Sequence, residues 1–193
     1  MAVHKPWLSK QMAVWATFFG RREMAEHWWW RVLEARPGNA HALASIGHLR
    51  AEAGDPAGAI AAFEQAVASG EAPASTWFNL GFMRQEAGDH ERAIEAFDRA
   101  IAGDERLDRA WYGKALSLIK LGRVEESIPL LKKNTELQPM SPFGWYQLAH
   151  AYHRLGQTDR VANTIRKLAG FEPKVAKQLE RETGVNVGVE VPF

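Results

Sequence analysis

The sequence predicts an all-α solenoid of antiparallel helix pairs, and three observations carry that prediction. Glycine recurs at Gly20, Gly54, Gly88, Gly122 and Gly156, each 34 residues after the last. Tryptophan recurs at the same interval at Trp77, Trp111 and Trp145, with Leu43 holding the place one period earlier. Between these marks the apolar residues keep helical spacing: Leu43 with Gly47, and Ala59 with Phe63 and Ala66, share faces at i, i+4 and i, i+3. A fixed period of this size marks stacked supersecondary units, none of which can bury its own apolar face alone. No segment shows strand-like alternation before Val185-Asn186-Val187.

Each unit divides at its glycine. A helix there must end in a left-handed residue, which glycine adopts without a Cβ penalty. Asp55-Pro56 then reopens a helix, with a capping carboxylate and a proline in the first turn. Asp89 and Gln157-Thr158-Asp159 stand at similar places in later units.

Trp77, Leu80, Gly81, Ala93, Phe97 and Ala100 follow the pattern W-x2-L-G, then A-x3-F and a later alanine. The next units supply Trp111, Ala115, Ser127, Leu131 and Pro139, then Trp145, Leu148, Ala149, Tyr152, Val161, Ile165 and Pro173. The preceding unit has Leu43, Ile46, Gly47, Ala59, Phe63 and Ala66. On these residues the chain resembles the tetratricopeptide repeat (TPR) family over residues 6–175. The resemblance implies a right-handed superhelix of units 6–39, 40–73, 74–107, 108–141 and 142–175. The first unit is degenerate but keeps Ala25, Trp29, Val32 and Pro37 in register. Arg50 and Arg84, where the pattern prefers tyrosine, and Asn134, where it prefers a small residue, predict looser packing locally. Residues 174–183 read as an amphipathic capping helix stopped by Gly184, with Val175 and Leu179 inward and Glu180 and Glu182 in water. Residues 184–193 read as an extended or disordered tail, in which Val185, Val187, Val189, Val191 and Phe193 form an apolar ladder.

Composition narrows the function. There is no cysteine, hence no disulfide framework, thiolate metal site or cysteine nucleophile. The first residues carry no signal peptide, and no window reaches the roughly 20 apolar residues that span a bilayer, so a cytoplasmic protein without stable membrane insertion is expected. The net charge of +1 hides segregation. Residues 1–39 carry +3, residues 40–107 carry −6 and residues 108–193 carry +4. An acidic middle between basic ends is not the positive stripe that nucleic acid rewards.

The resemblance also indicates where a partner protein or peptide sits, because in TPR proteins the first helix of each pair lines a concave groove. One column there runs Ala44, Phe78, Tyr112 and Tyr146, and the next runs His48, Phe82, Leu116 and His150. Neither belongs to the packing pattern, so aromatic side chains in them suit an apolar or aromatic anchor. The alternative is that the rings pack on each other or on the C-terminal segment. The family's two-lysine, arginine and asparagine grip on a chaperone tail is mostly missing: Asn79 and Arg109 match it, whereas Ala44, His48 and Gly113 do not. An amide at Asn79 can pair with both the N–H and the C=O of a bound backbone. The groove set is therefore His48, Phe78, Asn79, Phe82, Arg109, Tyr112, Tyr146 and His150. An adaptor or scaffold is expected, with a small chaperone that masks apolar segments as the alternative.

The other anomaly is aromatic. Trp29 falls in the core column with Phe63, Phe97, Leu131 and Ile165, but Trp30 shares its column with Glu64, Asp98, Lys132 and Arg166. With Trp7, Trp15, Phe18 and Trp28 it predicts an exposed aromatic end suited to a homodimer, another partner or a membrane interface, unless the first helix folds over these rings. His150 and His153 stand three apart without a carboxylate on their helix, so no metal site is expected. No phosphate-binding glycine loop, carboxylate dyad or activated serine is visible, so neither an enzyme nor a cofactor is expected.

Overall fold

The structure, a computed structural model, describes residues 6–191. Its regular elements are helices: α1 (Pro6–Phe18), α2 (Arg22–Ala35), α3 (Ala40–Glu52), α4 (Pro56–Ala68), α5 (Ala74–Glu86), α6 (His90–Gly103), α7 (Asp108–Lys120), α8 (Val124–Leu137), α9 (Pro142–Arg154), α10 (Thr158–Ala169) and α11 (Pro173–Thr183). They divide into two compact units, residues 1–103 and 104–193.

The 34-residue glycines perform the task their spacing implies. All five have positive φ, from 66° at Gly20 to 81° at Gly88. The residue after each glycine donates to the carbonyl five positions before it: Arg21 to Ala16, Asp55 to Arg50, Asp89 to Arg84, Arg123 to Leu118 and Gln157 to Tyr152. These are Schellman closures, which satisfy last-turn carbonyls that a helix otherwise leaves orphaned. On the far side of the turn, the Asp55 carboxylate accepts the Gly58 N–H at 2.9 Å and Pro56 occupies the first turn. Asn39 caps α3 in the same way through Ala42. Gln157 makes no side-chain cap for α10.

In the first unit the core runs through Trp29, Ile46, Phe63, Leu80 and Phe97, all at most 2% exposed. Its helices approach closely because a small residue faces each ring. A Cβ on Gly47 would come within 2.8 Å of the Phe63 ring, and one on Gly81 within 2.8 Å of Phe97. In the second unit the matching positions are Ala115 and Ala149, and the facing column holds the smaller Leu131 and Ile165. Residue volume is thus conserved across the pair while the individual residues change.

The departures from the repeat pattern do not loosen the packing, contrary to expectation. Arg50 reaches back to Glu26 with two hydrogen bonds of 3.1 Å, and its guanidinium lies 5.9 Å from the Trp30 ring. Arg84 reaches Glu64 at 2.7 Å. A long cation at this position joins successive helix pairs where a tyrosine would fill space. Asn134 is buried, donates to the Asp108 carbonyl at 3.0 Å, and is accommodated by Gly144, whose missing Cβ leaves room for the amide.

At the C-terminal end, α11 packs on α10 and α9. Ala176 and Leu179 are fully buried against them. Glu180 is not the solvated residue its sequence context suggests, whereas Glu182 is exposed. Glu180 is 6% exposed, and its carboxylate accepts the Val187 N–H at 2.7 Å and the Val189 N–H at 3.1 Å. Lys177 donates to the other oxygen at 2.8 Å. The Lys177 ammonium first, and then these backbone donors, hold the Glu180 carboxyl down at about 2. Residues 185–191 form neither helix nor strand and are held down at Val187 and Val189 by Glu180, with Val189 buried. The ladder's last member, Phe193, lies outside the described residues.

Candidate functional site

In the first unit, α3 and α5 flank a cleft of about 370 Å³ lined by His41, Ala44, Ser45, His48, Thr76 and Asn79 among others. The Asn79 amide Nδ2 lies 3.1 Å from His48 Nε2. An amide nitrogen only donates, so this contact requires a neutral imidazole with Nε2 as acceptor. Burial lowers the His48 pKa from its ordinary value, which favours that neutral form, while Glu52 pulls the other way. His41, at the rim, is lowered by burial and by Lys10. The His48 ring also meets the buried Phe63 edge-on at 5.2 Å. Beside the cleft, Phe78 leans on the core ring of Phe97 at 5.9 Å and stacks on Phe82 at 6.4 Å. Phe82 is 45% exposed. Phe78 is thus partly a support, and Phe82 is the ring presented to solvent.

The second unit uses its predicted residues differently. The Tyr146 hydroxyl donates to Glu182 at 2.7 Å, and His150 Nε2 lies 2.9 Å from the same carboxylate oxygen. The two rings pack at 4.6 Å, and Gln178 donates to the other Glu182 oxygen at 2.7 Å. These donors, Gln178 foremost, lower the Glu182 pKa, and burial followed by the Glu182 contact raises that of Tyr146. The first-helix face of α9 is therefore engaged by the chain's own last helix. Tyr112 is half-buried, with its pKa raised by burial against a hydrogen bond from Gln147, and Arg109 is exposed. Met140, just before α9, and Phe143, in its first turn, are strongly exposed and were not singled out by the sequence reading, although Phe143 stands one period after Arg109.

At the N-terminal end, Trp7, Trp15, Phe18 and Phe19 are all more than half exposed, and α1 does not fold them away. Trp28 is partly buried against the core. Trp30 is exposed, as its column suggests, with Arg50 5.9 Å from its ring and Glu26 accepting from its indole at 3.4 Å. Among the described residues no cluster of three or more His, Asp or Glu side chains is arranged to hold a metal ion. No described helix is long and apolar enough to cross a membrane.

Stacked helix pairs, glycine-ended first helices and a cleft between successive first helices define a repeat scaffold for protein interactions. The tetratricopeptide repeat pattern matches residues 44–106 and 84–142, and a second form of it matches residues 144–174. The chain belongs to the tetratricopeptide repeat family and has its all-α solenoid fold. No curated protein sequence is similar enough to match it. Among solved structures, a crystal structure of MamA protein is similar at 21% identity and TM-score 0.77, covering 97% of this chain and 98% of that one. YrrB, described as a TPR protein with an unusual peptide-binding site, is similar at 18% identity and TM-score 0.79, covering 88% of each chain. MamA 41-end from Desulfovibrio magneticus RS-1 is similar at 17% identity and TM-score 0.77, covering 94% of this chain and 98% of that one.

Proposed function

We propose that the protein is a non-catalytic adaptor that holds an extended, apolar or aromatic segment of a partner protein against α3 and α5. The observation that carries this reading is the contrast between first-helix faces. The α9 face is engaged by Glu182, whereas the α3–α5 cleft opens beside an exposed Phe82 stacked on Phe78. An aromatic or apolar anchor would lie on Phe82. Its backbone would exchange with the His48–Asn79 hydrogen bond, since Asn79 offers both a donor and an acceptor. Stacked repeats hold these groups in place before binding, which limits the ordering cost. The peptide-binding site named for YrrB is in keeping with the reading, as is the cysteine-free sequence with a reducing, cytoplasmic setting.

The test is affinity capture from native lysate, comparing the wild-type chain with an Asn79→Ala/Phe82→Ala variant whose helicity is unchanged. Partners held by the first and lost by the second support the cleft. Recovery of the same set by both proteins removes it. A second reading, a chaperone masking apolar segments, is favoured by the additional exposure of Met140 and Phe143. Under that reading the captured partner aggregates or is degraded in cells lacking this protein, whereas an adaptor's partner remains soluble.

A further inference from the structure

The surface of α1 conflicts with its place in a stack of helix pairs. Ser9, Ala13 and Ala16 are buried and face α2. On the other side, Trp7, Leu8, Met12, Val14, Trp15, Phe18 and the adjoining Phe19 are all exposed. At 3.6 residues per turn they occupy an arc of roughly 160°, interrupted by one polar residue, Gln11, near its centre. Lys10 and Thr17 lie outside the arc, and α1 contains no acidic residue. Trp15 stacks on Phe19 at 5.5 Å, and Phe18 meets Phe19 edge-on at 5.3 Å, so the rings form one continuous patch.

The repeat register shows what kind of surface this is. Leu8, Met12 and Trp15 stand one period before Ala42, Ile46 and Leu49, which are buried with α2 packed on α3. In the second unit the same column holds Gly144, Leu148 and Ala151, buried with α8 packed on α9. The column is thus the face that a preceding second helix covers, and among the described residues nothing covers it on α1.

We propose that this face packs against the same face of a second copy, giving an isologous end-to-end dimer. Its area suits that occupant. Aromatic side chains bury about 150–250 Å² each, so the exposed parts of Trp7, Trp15, Phe18 and Phe19 amount to roughly 500 Å². With Leu8, Met12 and Val14 the patch approaches the ~800 Å² per partner of a standard interface, beyond what a monomer ordinarily leaves in water. Head-to-tail stacking offers a poorer match. Among the described residues of α10, α11 and the tail no large apolar side chain is exposed, and α11 presents Lys174, Gln178 and Arg181. Apposed copies of α1 instead place apolar surface on apolar surface. A two-fold axis near Gln11 brings two amides together, each able to donate to and accept from the other. Trp30, on α2 and in contact with Arg50, is not part of the face. The proposal does not depend on the α3–α5 cleft.

Sedimentation of the full chain over two decades of concentration, in detergent-free buffer, tests it. The expected species is a dimer of twice the 21.6 kDa chain mass. A Trp15→Glu/Phe18→Glu variant, altered only at exposed positions, is expected to keep its helicity and weaken the dimer about a hundredfold or more. Because the chain has no cysteine, Gln11→Cys supplies a single thiol at the proposed axis. Mild oxidation should give a covalent dimer, and the same treatment of Glu34→Cys, on α2, should not. Wild-type chain that stays monomeric throughout overturns the proposal, and co-flotation of that monomer with phosphatidylglycerol vesicles would assign the face to a membrane surface. Open-ended oligomers, in which Gln11→Cys does not cross-link, would overturn the two-fold arrangement.

Discussion

The helices α1 and α11 each flank a stack of helix pairs, and they treat the surface facing away from it in opposite ways. On α11, Ala176 and Leu179 point inward, Lys174, Gln178 and Arg181 point outward, and Glu180 straps the tail across its end. On α1, the inward face is the small set Ser9, Ala13 and Ala16, and the outward face is large and apolar. A polar outer face makes a helix the end of an array, because nothing is gained by covering it. An apolar one makes it an interior helix awaiting a neighbour. The stability of the α11 end therefore belongs to the single chain, while on the proposed dimer that of the α1 end depends on concentration.

This contrast can be broken by mutation. The largest effect is expected for Leu179→Ala, which removes a fully buried side chain and should destabilise the second unit by about 2–5 kcal/mol in urea unfolding. Trp15→Ala, at a larger but exposed residue, should change the stability of the dilute monomer by less than about 0.5 kcal/mol. Comparable losses at both sites would erase the distinction.

Glu180→Ala comes next. It leaves the Val187 and Val189 N–H groups without their acceptor, and about 1–3 kcal/mol should be lost, with faster amide exchange in the tail. Acid should mimic it. The folded carboxyl titrates at about 2, below its unfolded value of about 4.3, so its contribution is complete above that unfolded value. It is then lost as pH falls from about 4 through about 2. The Glu180→Ala variant should lose this part of the acid dependence, with unfolding followed by circular dichroism.

Tyr146→Phe, which removes one of the hydrogen bonds to Glu182, should cost about 1 kcal/mol. It should also free Tyr146's neighbour His150 and α11 for faster exchange. A smaller loss is expected at Arg50→Ala, a partly exposed ion pair with Glu26 that also contacts Trp30, at about 0.5–1 kcal/mol. Trp30 fluorescence should shift toward that of a solvated indole.

Much of this architecture was legible in advance because its determinants are local or periodic. Positive φ at Gly54 or Gly88 follows from where a helix must end, and the burial of Phe63, Phe97, Leu131 and Ile165 follows from one column of a 34-residue register. The site was less legible. Tyr146 and His150 share columns with Phe78 and Phe82, yet Glu182, more than thirty residues away, engages the first pair only. Nothing in a charged helix such as Lys-Gln-Leu-Glu-Arg-Glu indicates which carboxylate turns inward.

The sequence by itself determined the helix pairs, their period, the glycine turns and the columns of the core. Those features depend on backbone preferences and on side chains three or four residues apart. Only the tertiary structure decided that Arg50 and Arg84 reach back to Glu26 and Glu64, that Glu180 anchors the tail, and that no described helix covers the aromatic face of α1. These outcomes depend on distances between groups that are remote in sequence, where a fraction of an ångström separates a hydrogen bond from a solvated charge.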